Sequence, residues 1–259
     1  MLTRICCAHA GGQGKTTFAQ ALHVASLNMS IPTKLVAADF TDASGASKLG
    51  QMYPNQVTEL GTGPSVAFAK ESNDLNASVK YWDRLGPELI RGNTIIDLGA
   101  NVVEQVLQWG NIRNLPQLLK ARSAPPIDVF LVCKAEQRAV DDMRDLVERF
   151  GSGKYVSARK IFVVLNEQSG SFDAIDIRGE LSKIKVDTEL AFINLPRCTS
   201  ELWAAMEQRY VSLASALNMS PDDVVTKLGV DFWAVYSGLE QLKDWFAALQ
   251  SELKTKGVF

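Results

Sequence analysis

The chain lacks paired cysteines and has no excess of either charge. Its 259 residues carry 27 basic and 29 acidic side chains, so the formal net charge is −2. A near-neutral chain has no global basic field, so its charge does not support a DNA contact, which would need a local basic patch. The four cysteines, Cys6, Cys7, Cys133 and Cys198, lack zinc-site spacing and are expected to be buried thiols in a reducing compartment.

Long apolar runs are absent as well. No stretch approaches the roughly 20 consecutive apolar residues that a membrane-spanning helix requires. The first residues, "MLTRICCA", do not resemble a secretory signal. With 46% hydrophobic residues, the chain can nevertheless bury a large core. We therefore expect a folded cytoplasmic protein.

Short apolar runs alternate with segments of helical periodicity. The runs are "LTRICCA", "TKLVAAD", "NTIIDLG", "IDVFLVC", "KIFVVLN" and "ELAFINL", and their continuous apolar character predicts strands covered on both faces. Helices are predicted for "TTFAQALHVASLN", "NDLNASVKYWDRLGPELI", "AEQRAVDDMRDLVERF", "SFDAIDIRGELSKI" and "SELWAAMEQRYVSLASAL". The alternation predicts an α/β fold over residues 1–217, with a doubly wound, mostly parallel sheet flanked by helices, followed by a C-terminal helical extension over residues 218–259.

The extension contains an apolar stripe of helical spacing. Its members are Phe232, Val235, Tyr236, Leu239, Leu242, Phe246, Leu249 and Leu253. Acidic residues outnumber lysines along this segment, whereas helices that lie on membrane surfaces are usually basic. We therefore expect the helix to dock on the rest of the chain or on a partner, and not on a membrane.

The most informative stretch is "HAGGQGKTT", residues 9–17, between a predicted strand and a predicted helix. A phosphate-binding loop needs glycines for tight curvature, inward backbone N–H groups, a lysine on the phosphates and a hydroxyl on magnesium. The strict pattern would have glycine where this chain has His9. This histidine could pack as a loop residue or donate near the phosphate, and packing is favoured. The predicted nucleotide-binding residues here are Gly11, Gly12, Gln13, Gly14, Lys15, Thr16 and Thr17.

The loop resembles K-G-G-x-G-K-[ST] of the ParA/MinD family of deviant-Walker ATPases, in the SIMIBI class, and StbB-like plasmid partition and conjugation members within it. Two further motifs resemble the family's switches. In "LVAADFTDASGASKL", Asp39 matches the first aspartate of the family's D-x-D, and Thr41 stands in place of the second. In "TIIDLGAN", Asp97 matches the Walker B aspartate and Gly99 the glycine near the γ phosphate.

Two later motifs extend the resemblance over about residues 1–217. "VVLNEQSG" resembles the strand that ends in the adenine-reading asparagine, here Asn166, and "INLPRCTSELWAAM" resembles the proline turn beside the base, here Pro196. A GTPase would usually carry an aspartate in an N-K-x-D run to read guanine. The run Asn166-Glu167-Gln168-Ser169 lacks it, so ATP is favoured.

The resemblance implies ATP and Mg²⁺ as cofactors. The implied catalytic residues are Lys15, Asp39 and Asp97, and the implied metal ligands are Thr16, Asp39 and Asp97. In the family, an extra signature lysine reaches across a nucleotide-sandwiched homodimer to the partner's phosphate, but this chain has Ala10 at that position. Because Ala10 and Thr41 remove two functional groups, slow hydrolysis is expected unless Lys134 or Arg138 compensates.

Three functions are compatible with these motifs. The resemblance favours a nucleotide-dependent switch that positions a cargo such as plasmid DNA through an adaptor protein. A metabolic P-loop enzyme of the same fold is the second, although the run "DLGANVVEQVLQWGN" lacks the cluster cysteines of nitrogenase iron proteins, and no ligase substrate pocket is identifiable. A nucleotide-binding module without turnover is the third.

Overall fold

The computed structural model describes residues 1–39, 46–60 and 75–259. Thr41, predicted at the second aspartate position of the first switch, lies outside these residues. The strands are β1 (Thr3–Cys7), β2 (Lys34–Ala38), β3 (Val57–Glu59), β4 (Thr94–Leu98), β5 (Ile127–Lys134), β6 (Ala158–Asn166) and β7 (Glu189–Leu195). They form one sheet in the order β3-β2-β4-β1-β5-β6-β7, and each neighbouring pair is parallel.

The described helices follow the strands along the chain. They are α1 (Lys15–Asn28), α2 (Lys48–Met52), α3 (Leu75–Trp82), α4 (Gly86–Arg91), α5 (Val103–Ile112), α6 (Leu115–Ala121), α7 (Ala139–Gly151), α8 (Ile177–Ser182), α9 (Leu202–Gln208), α10 (Leu213–Leu217), α11 (Pro221–Leu228) and α12 (Phe232–Thr255). Helices flank the sheet, so the predicted α/β fold is confirmed. The sheet has no antiparallel pair among the strands that the structure describes.

The sheet is buried on both faces, and most side chains of its central strands are apolar. Cys6 and Cys7 are neighbours in β1 but belong to apolar clusters on opposite faces, as the alternation of a strand requires. On the α1 face, the rings of Phe130 and Phe162 stack with centroids 4.8 Å apart. All four cysteines are buried and free of disulfides, as the sequence led us to expect.

The strand order directs attention to the carboxyl end of β1. From β1 the chain crosses to β2 on one side, and it later continues from β4 to β5 on the other side of β1. In open parallel sheets, a crevice for ligands forms where the winding changes direction, outside the carboxyl ends of the strands. The glycine-rich loop, residues 8–14, follows β1 at this point.

Helix α12 packs against the same apolar cluster as α1. Its buried members are Val235, Leu239, Leu242, Trp245, Phe246, Leu249 and Leu253. Phe232 and Tyr236, predicted in the buried stripe, are exposed, while Trp245 is buried without having been predicted. Within the described ranges, no helix combines the length and apolar character that crossing a bilayer requires.

Three predicted helices are shorter or more broken than expected, and the one predicted over residues 171–184 is reduced to α8 (Ile177–Ser182). The segment 200–217 forms α9 and α10, because Tyr210 adopts a left-handed conformation with φ of +53° between them. The segment predicted as one helix up to Ile90 is interrupted by the 3₁₀ turn Asp83–Leu85, and α4 starts at Gly86. The spacing of hydrophobic residues continues across both turns, so it does not reveal where the helix is interrupted.

Candidate functional site

The loop after β1 has the backbone curvature of a phosphate cradle. Gly12 and Gly14 have φ of +72° and +98°, a region that residues with a Cβ atom rarely adopt. Gly14 also caps the N-terminus of α1, and a Cβ atom there would overlap the side-chain amide of Asn166. Glycine at position 14 is therefore required both by the backbone conformation and by the close approach of β6.

Lys15 and Thr16 begin α1 directly after the loop. Lys15 is buried, and the Thr16 hydroxyl donates a hydrogen bond to Oδ2 of Asp97 over 2.6 Å. Burial raises the pKa of Asp97, and the charge of Lys15 and the Thr16 hydroxyl oppose that rise. The first turn of α1 thus brings a cation and a hydroxyl to the end of β4, where the helix N-terminus favours an anion.

One carboxylate oxygen of Asp97 is left for a ligand. Its Oδ1 atom is buried and has no hydrogen-bond partner among the residues that the structure describes. A buried oxygen without a partner is unusual in native proteins, and a carboxylate beside a hydroxyl supplies hard oxygen ligands of the type that magnesium prefers. The residues present therefore fit a magnesium ion at this end of the loop.

Asp39 and Gly99 approach each other across neighbouring strands. The N–H of Gly99 donates to the carbonyl of Ala38 over 2.8 Å, and a Cβ atom on Gly99 would overlap the Asp39 carboxylate. The two predicted switch segments therefore start in direct contact. The absence of a side chain at position 99 leaves the space that Asp39 occupies.

Glu59, at the end of β3, is an acidic residue that the sequence did not indicate. Its Oε1 accepts hydrogen bonds from the backbone N–H and the hydroxyl of Ser47, at 3.1 and 2.8 Å. Burial raises the pKa of Glu59, the bonds from Ser47 oppose this, and the charges of Asp39 and Asp97 add to the rise. Glu59 thereby holds the start of α2 close to the carboxylates of the site.

Gln13 and Asn166 fix the loop to the neighbouring strands. The Gln13 side-chain oxygen accepts from the backbone N–H of Lys134 over 2.7 Å, and its carbonyl accepts from the Asn166 amide over 2.8 Å. The Asn166 side-chain oxygen in turn accepts from the N–H of Gln168 over 3.1 Å. Asn166 is thus engaged with the protein at both polar atoms, and adenine reading by its side chain stays a prediction.

A cavity of about 120 Å³ adjoins the loop on the side of β6 and β7. Gly12, Gly14, Thr17, Asn166 and Pro196 line it, so five predicted site residues share one space. Trp203, Glu207 and Trp245 are also among the lining residues. The indole N–H of Trp245 donates to the Pro196 carbonyl over 2.8 Å, and the rings of Trp203 and Trp245 meet at 5.3 Å.

Neither tryptophan was predicted as a site residue. Trp203 lies within the proline-turn motif and Trp245 immediately before Phe246 of the apolar stripe, so each was close to a recognised pattern. Neither pattern could reveal that α12 reaches the cavity. This contact arises from tertiary packing between the chain end and β7.

The expectation for His9 is wrong. Its side chain is 48% exposed, and Nδ1 lies 3.6 Å from Oδ1 of Asp142 on α7. The His9 side chain is therefore half exposed beside Asp142 and is not packed within the loop. Of the two cations considered as replacements for the signature lysine, Lys134 lines the cavity, whereas Arg138 is exposed at the start of α7.

Two larger depressions lie away from the loop. One, of about 450 Å³, is bordered by Pro116, Lys120 and Arg159, and the other, of about 540 Å³, by Phe172 and Arg178. Neither contains a glycine turn or a residue of the loop. The smaller cavity is the better candidate, since it adjoins the buried lysine and the helix N-terminus.

The fold is shared with solved structures of low sequence identity. A Borrelia burgdorferi protein assigned to plasmid partition, bound to AMPPNP, has a TM-score of 0.50 and 13% identity, covering 95% of this chain and 98% of that one. A ParA family ATPase from Chlorobium tepidum has a TM-score of 0.45 and 12% identity, covering 95% and 97%. The MinC:MinD cell division complex of Aquifex aeolicus has a TM-score of 0.47 and 13% identity, covering 97% of this chain and 96% of that one. No protein-family model and no curated protein matches the chain, and at these identities the similarity is one of fold alone.

Proposed function

We propose that the chain is an ATP- and Mg²⁺-binding switch of the ParA/MinD type. The observation that carries the proposal is the Thr16–Asp97 hydrogen bond of 2.6 Å at the start of α1, beside the buried Lys15. A glycine turn, a lysine and a hydroxyl–carboxylate pair at one helix N-terminus are the parts that a nucleoside triphosphate with magnesium requires. The Borrelia protein of the same fold is bound to AMPPNP, an ATP analogue.

Different residues of this chain would bind the phosphates, the magnesium ion and the base. The backbone N–H groups of residues 11–16 and the Lys15 ammonium bind the phosphates. Thr16, Asp39 and Asp97 hold magnesium, which supplies positive charge toward the phosphates when it is bound. The cavity beside Asn166 and Pro196 receives the base.

A switch needs an element that responds to the nucleotide. The segments after Asp39 and Asp97 are the candidates, because Asp39 and Gly99 already touch across β2 and β4. A ligand that contacts both segments would favour one arrangement of them, and the affinity for a partner would follow. We infer an adaptor protein of DNA segregation or conjugation as the partner and the cytoplasm as the location.

Hydrolysis is proposed to be slow. Ala10 supplies no charge at the position of the signature lysine, so one of the positive charges that the family places against the phosphates is missing from the loop. For the same reason we expect a homodimer, if it forms, to depend on contacts other than a lysine from the loop.

Titration calorimetry tests the proposal. We expect ATP to bind in the presence of magnesium, Lys15→Ala to abolish binding, and Lys243→Ala, an exposed lysine of α12, to leave it unchanged. GTP should compete more weakly than ATP. Equal affinity in wild type and Lys15→Ala would overturn the phosphate-loop assignment, and phosphate release with and without DNA would separate a switch from a module without turnover.

A further inference from the structure

Lys48 and Glu207 form an ion pair that joins the two sides of the candidate site. Lys48 is the first residue of α2, and its Nζ atom lies 2.8 Å from Oε1 of Glu207 on α9. The two residues are 159 positions apart in the chain. Their side chains are about two-fifths exposed, at 43% and 39%, so solvent and solutes can reach both.

Glu207 stands in an unfavourable position for a nucleotide-binding protein. It lines the cavity together with Gly12, Gly14 and Thr17, so its carboxylate faces the space beside the phosphate loop. A carboxylate there repels phosphates, and Lys48 offsets that charge. The Glu207 carboxylate therefore needs the positive charge of Lys48 beside it. Lys48 can pair equally well with another anion, such as a phosphate, when one is bound.

The start of α2 fixes the position of Lys48. Ser47 caps this helix, and its backbone N–H and hydroxyl donate to Oε1 of Glu59, at 3.1 and 2.8 Å. These bonds hold the backbone from which the Lys48 side chain reaches Glu207.

We propose that Lys48 is a phosphate-binding residue that pairs with Glu207 when no nucleotide is bound. When ATP binds, Lys48 exchanges the Glu207 carboxylate for a nucleotide phosphate oxygen and supplies from the same chain a positive charge that Ala10 does not provide. The inference rests on the proposed nucleotide site and adds a regulatory element to it. Its consequence is that the link between α2 and α9 is closed without nucleotide and released with it.

The exchange is physically inexpensive. Exposed ion pairs contribute little to stability, since both groups are well hydrated when separated. A triphosphate carries more negative charge than a carboxylate, so it competes effectively for the ammonium. Lys48 is the first residue of α2 and has a long, flexible side chain, so Nζ can change partner without a change in the backbone.

Opposite effects of the two charge-removing variants test the proposal. Lys48→Met leaves the Glu207 carboxylate uncompensated and should weaken Mg-ATP binding roughly tenfold, whereas Glu207→Gln frees Lys48 and should tighten it about threefold. Both shifts should shrink as salt rises toward about 1 M, where screening acts within roughly 3 Å. Lys48→Arg should restore most of the affinity, and Lys243→Met serves as the control.

A structural role predicts a different pattern. If the pair only tethers α9, Lys48→Met and Glu207→Gln will lower the melting temperature equally and leave ATP affinity equal to that of wild type, which overturns the proposal while the nucleotide site stands. Affinity changes of the same sign in both variants overturn it as well. If wild type binds no ATP at all, the proposed function itself is wrong. Far-UV circular dichroism of each variant verifies the fold.

Discussion

The hydroxyl of Thr16 donates a hydrogen bond to Asp97 over 2.6 Å, although 81 residues separate the two in the chain. The contact joins the first turn of α1 to the end of β4, two elements that meet only because β4 lies beside β1 in the sheet. It turns a loop motif and a strand motif into one site. The consequences for metal binding, loop geometry and turnover can be measured separately.

Thr16→Ala should remove the effect of magnesium on ATP binding. The variant loses a hydroxyl ligand, so affinity with magnesium should fall roughly ten- to hundredfold. In EDTA, wild type and variant should bind ATP equally. Calorimetry in both buffers measures this, with Thr226→Ala on α11 as an exposed control. An equal loss in both buffers would mean that Thr16 shapes the loop and does not bind the metal.

Gly14→Ala should destabilise the protein. At φ of +98°, a Cβ atom is strained, and it would also overlap the Asn166 amide. We expect the free energy of unfolding to fall by about 1–3 kcal/mol, measured by urea denaturation. Gly11→Ala is the matched control, because the space around position 11 is open. Equal losses in the two variants would refute the geometric argument.

Asn166→Ala should loosen the phosphate loop. The change removes the donor to the Gln13 carbonyl and leaves that oxygen without its partner, which costs about 1–3 kcal/mol when buried. ATP should bind about tenfold more weakly, since the loop must be ordered on binding. Asn218→Ala removes a comparable side-chain bond, to the Ala214 carbonyl on the surface, and should leave binding unchanged. If adenosine affinity also falls, the amide reads the base as well.

Trp245→Phe should show how much the packing of α12 contributes to the stability of the whole fold. The variant keeps an aromatic ring beside Trp203 but loses the hydrogen bond to the Pro196 carbonyl, so the free energy of unfolding should fall by about 1 kcal/mol. Thermal unfolding should remain a single transition. Trp233→Phe, at an exposed position, should change stability by less than about 0.5 kcal/mol. A separate early transition in Trp245→Phe would indicate that residues 218–259 fold on their own.

Ala10→Lys should raise ATP turnover. A positive charge of this kind typically contributes roughly 10²- to 10³-fold to rate, and slow wild-type turnover is expected without it. Phosphate release gives the rate, and light scattering shows whether the variant dimerises with ATP. Brisk hydrolysis by monomeric wild type, unchanged by Lys48→Met, would show that the missing charge does not limit the reaction.

Strands β1, β2, β4, β5, β6 and β7 were predictable because each contains a run of apolar residues, a pattern typical of strands covered on both faces. Strand β3, Val57–Glu59, was not predicted, since three partly buried residues at the sheet edge carry no such pattern. Helices α5 and α6 were missed as well. They directly follow the motif "TIIDLGAN", which predicted a switch segment and not a helical region.

The site was predictable where one loop supplies the residues and unpredictable where distant segments meet. Residues 11–17 are adjacent in the chain, so their spacing alone indicates a phosphate cradle. Lys48, Glu207 and Trp245 come from α2, α9 and α12, and only tertiary packing assembles them. The division of the chain at residue 217 stays a prediction, although both segments contribute to one apolar cluster.

Helix α12 gives the protein two optical reporters of different character. Trp245 is buried against the cavity, whereas Trp233, three turns earlier, is 85% exposed. At 1.5 Å per residue, the two indoles lie about 18 Å apart along one helix axis. An aqueous quencher such as acrylamide should therefore extinguish the emission of Trp233 and spare that of Trp245. Trp82 and Trp109 are buried as well, so the surviving emission comes from Trp245 together with these two, while the quenched fraction monitors the outer end of α12.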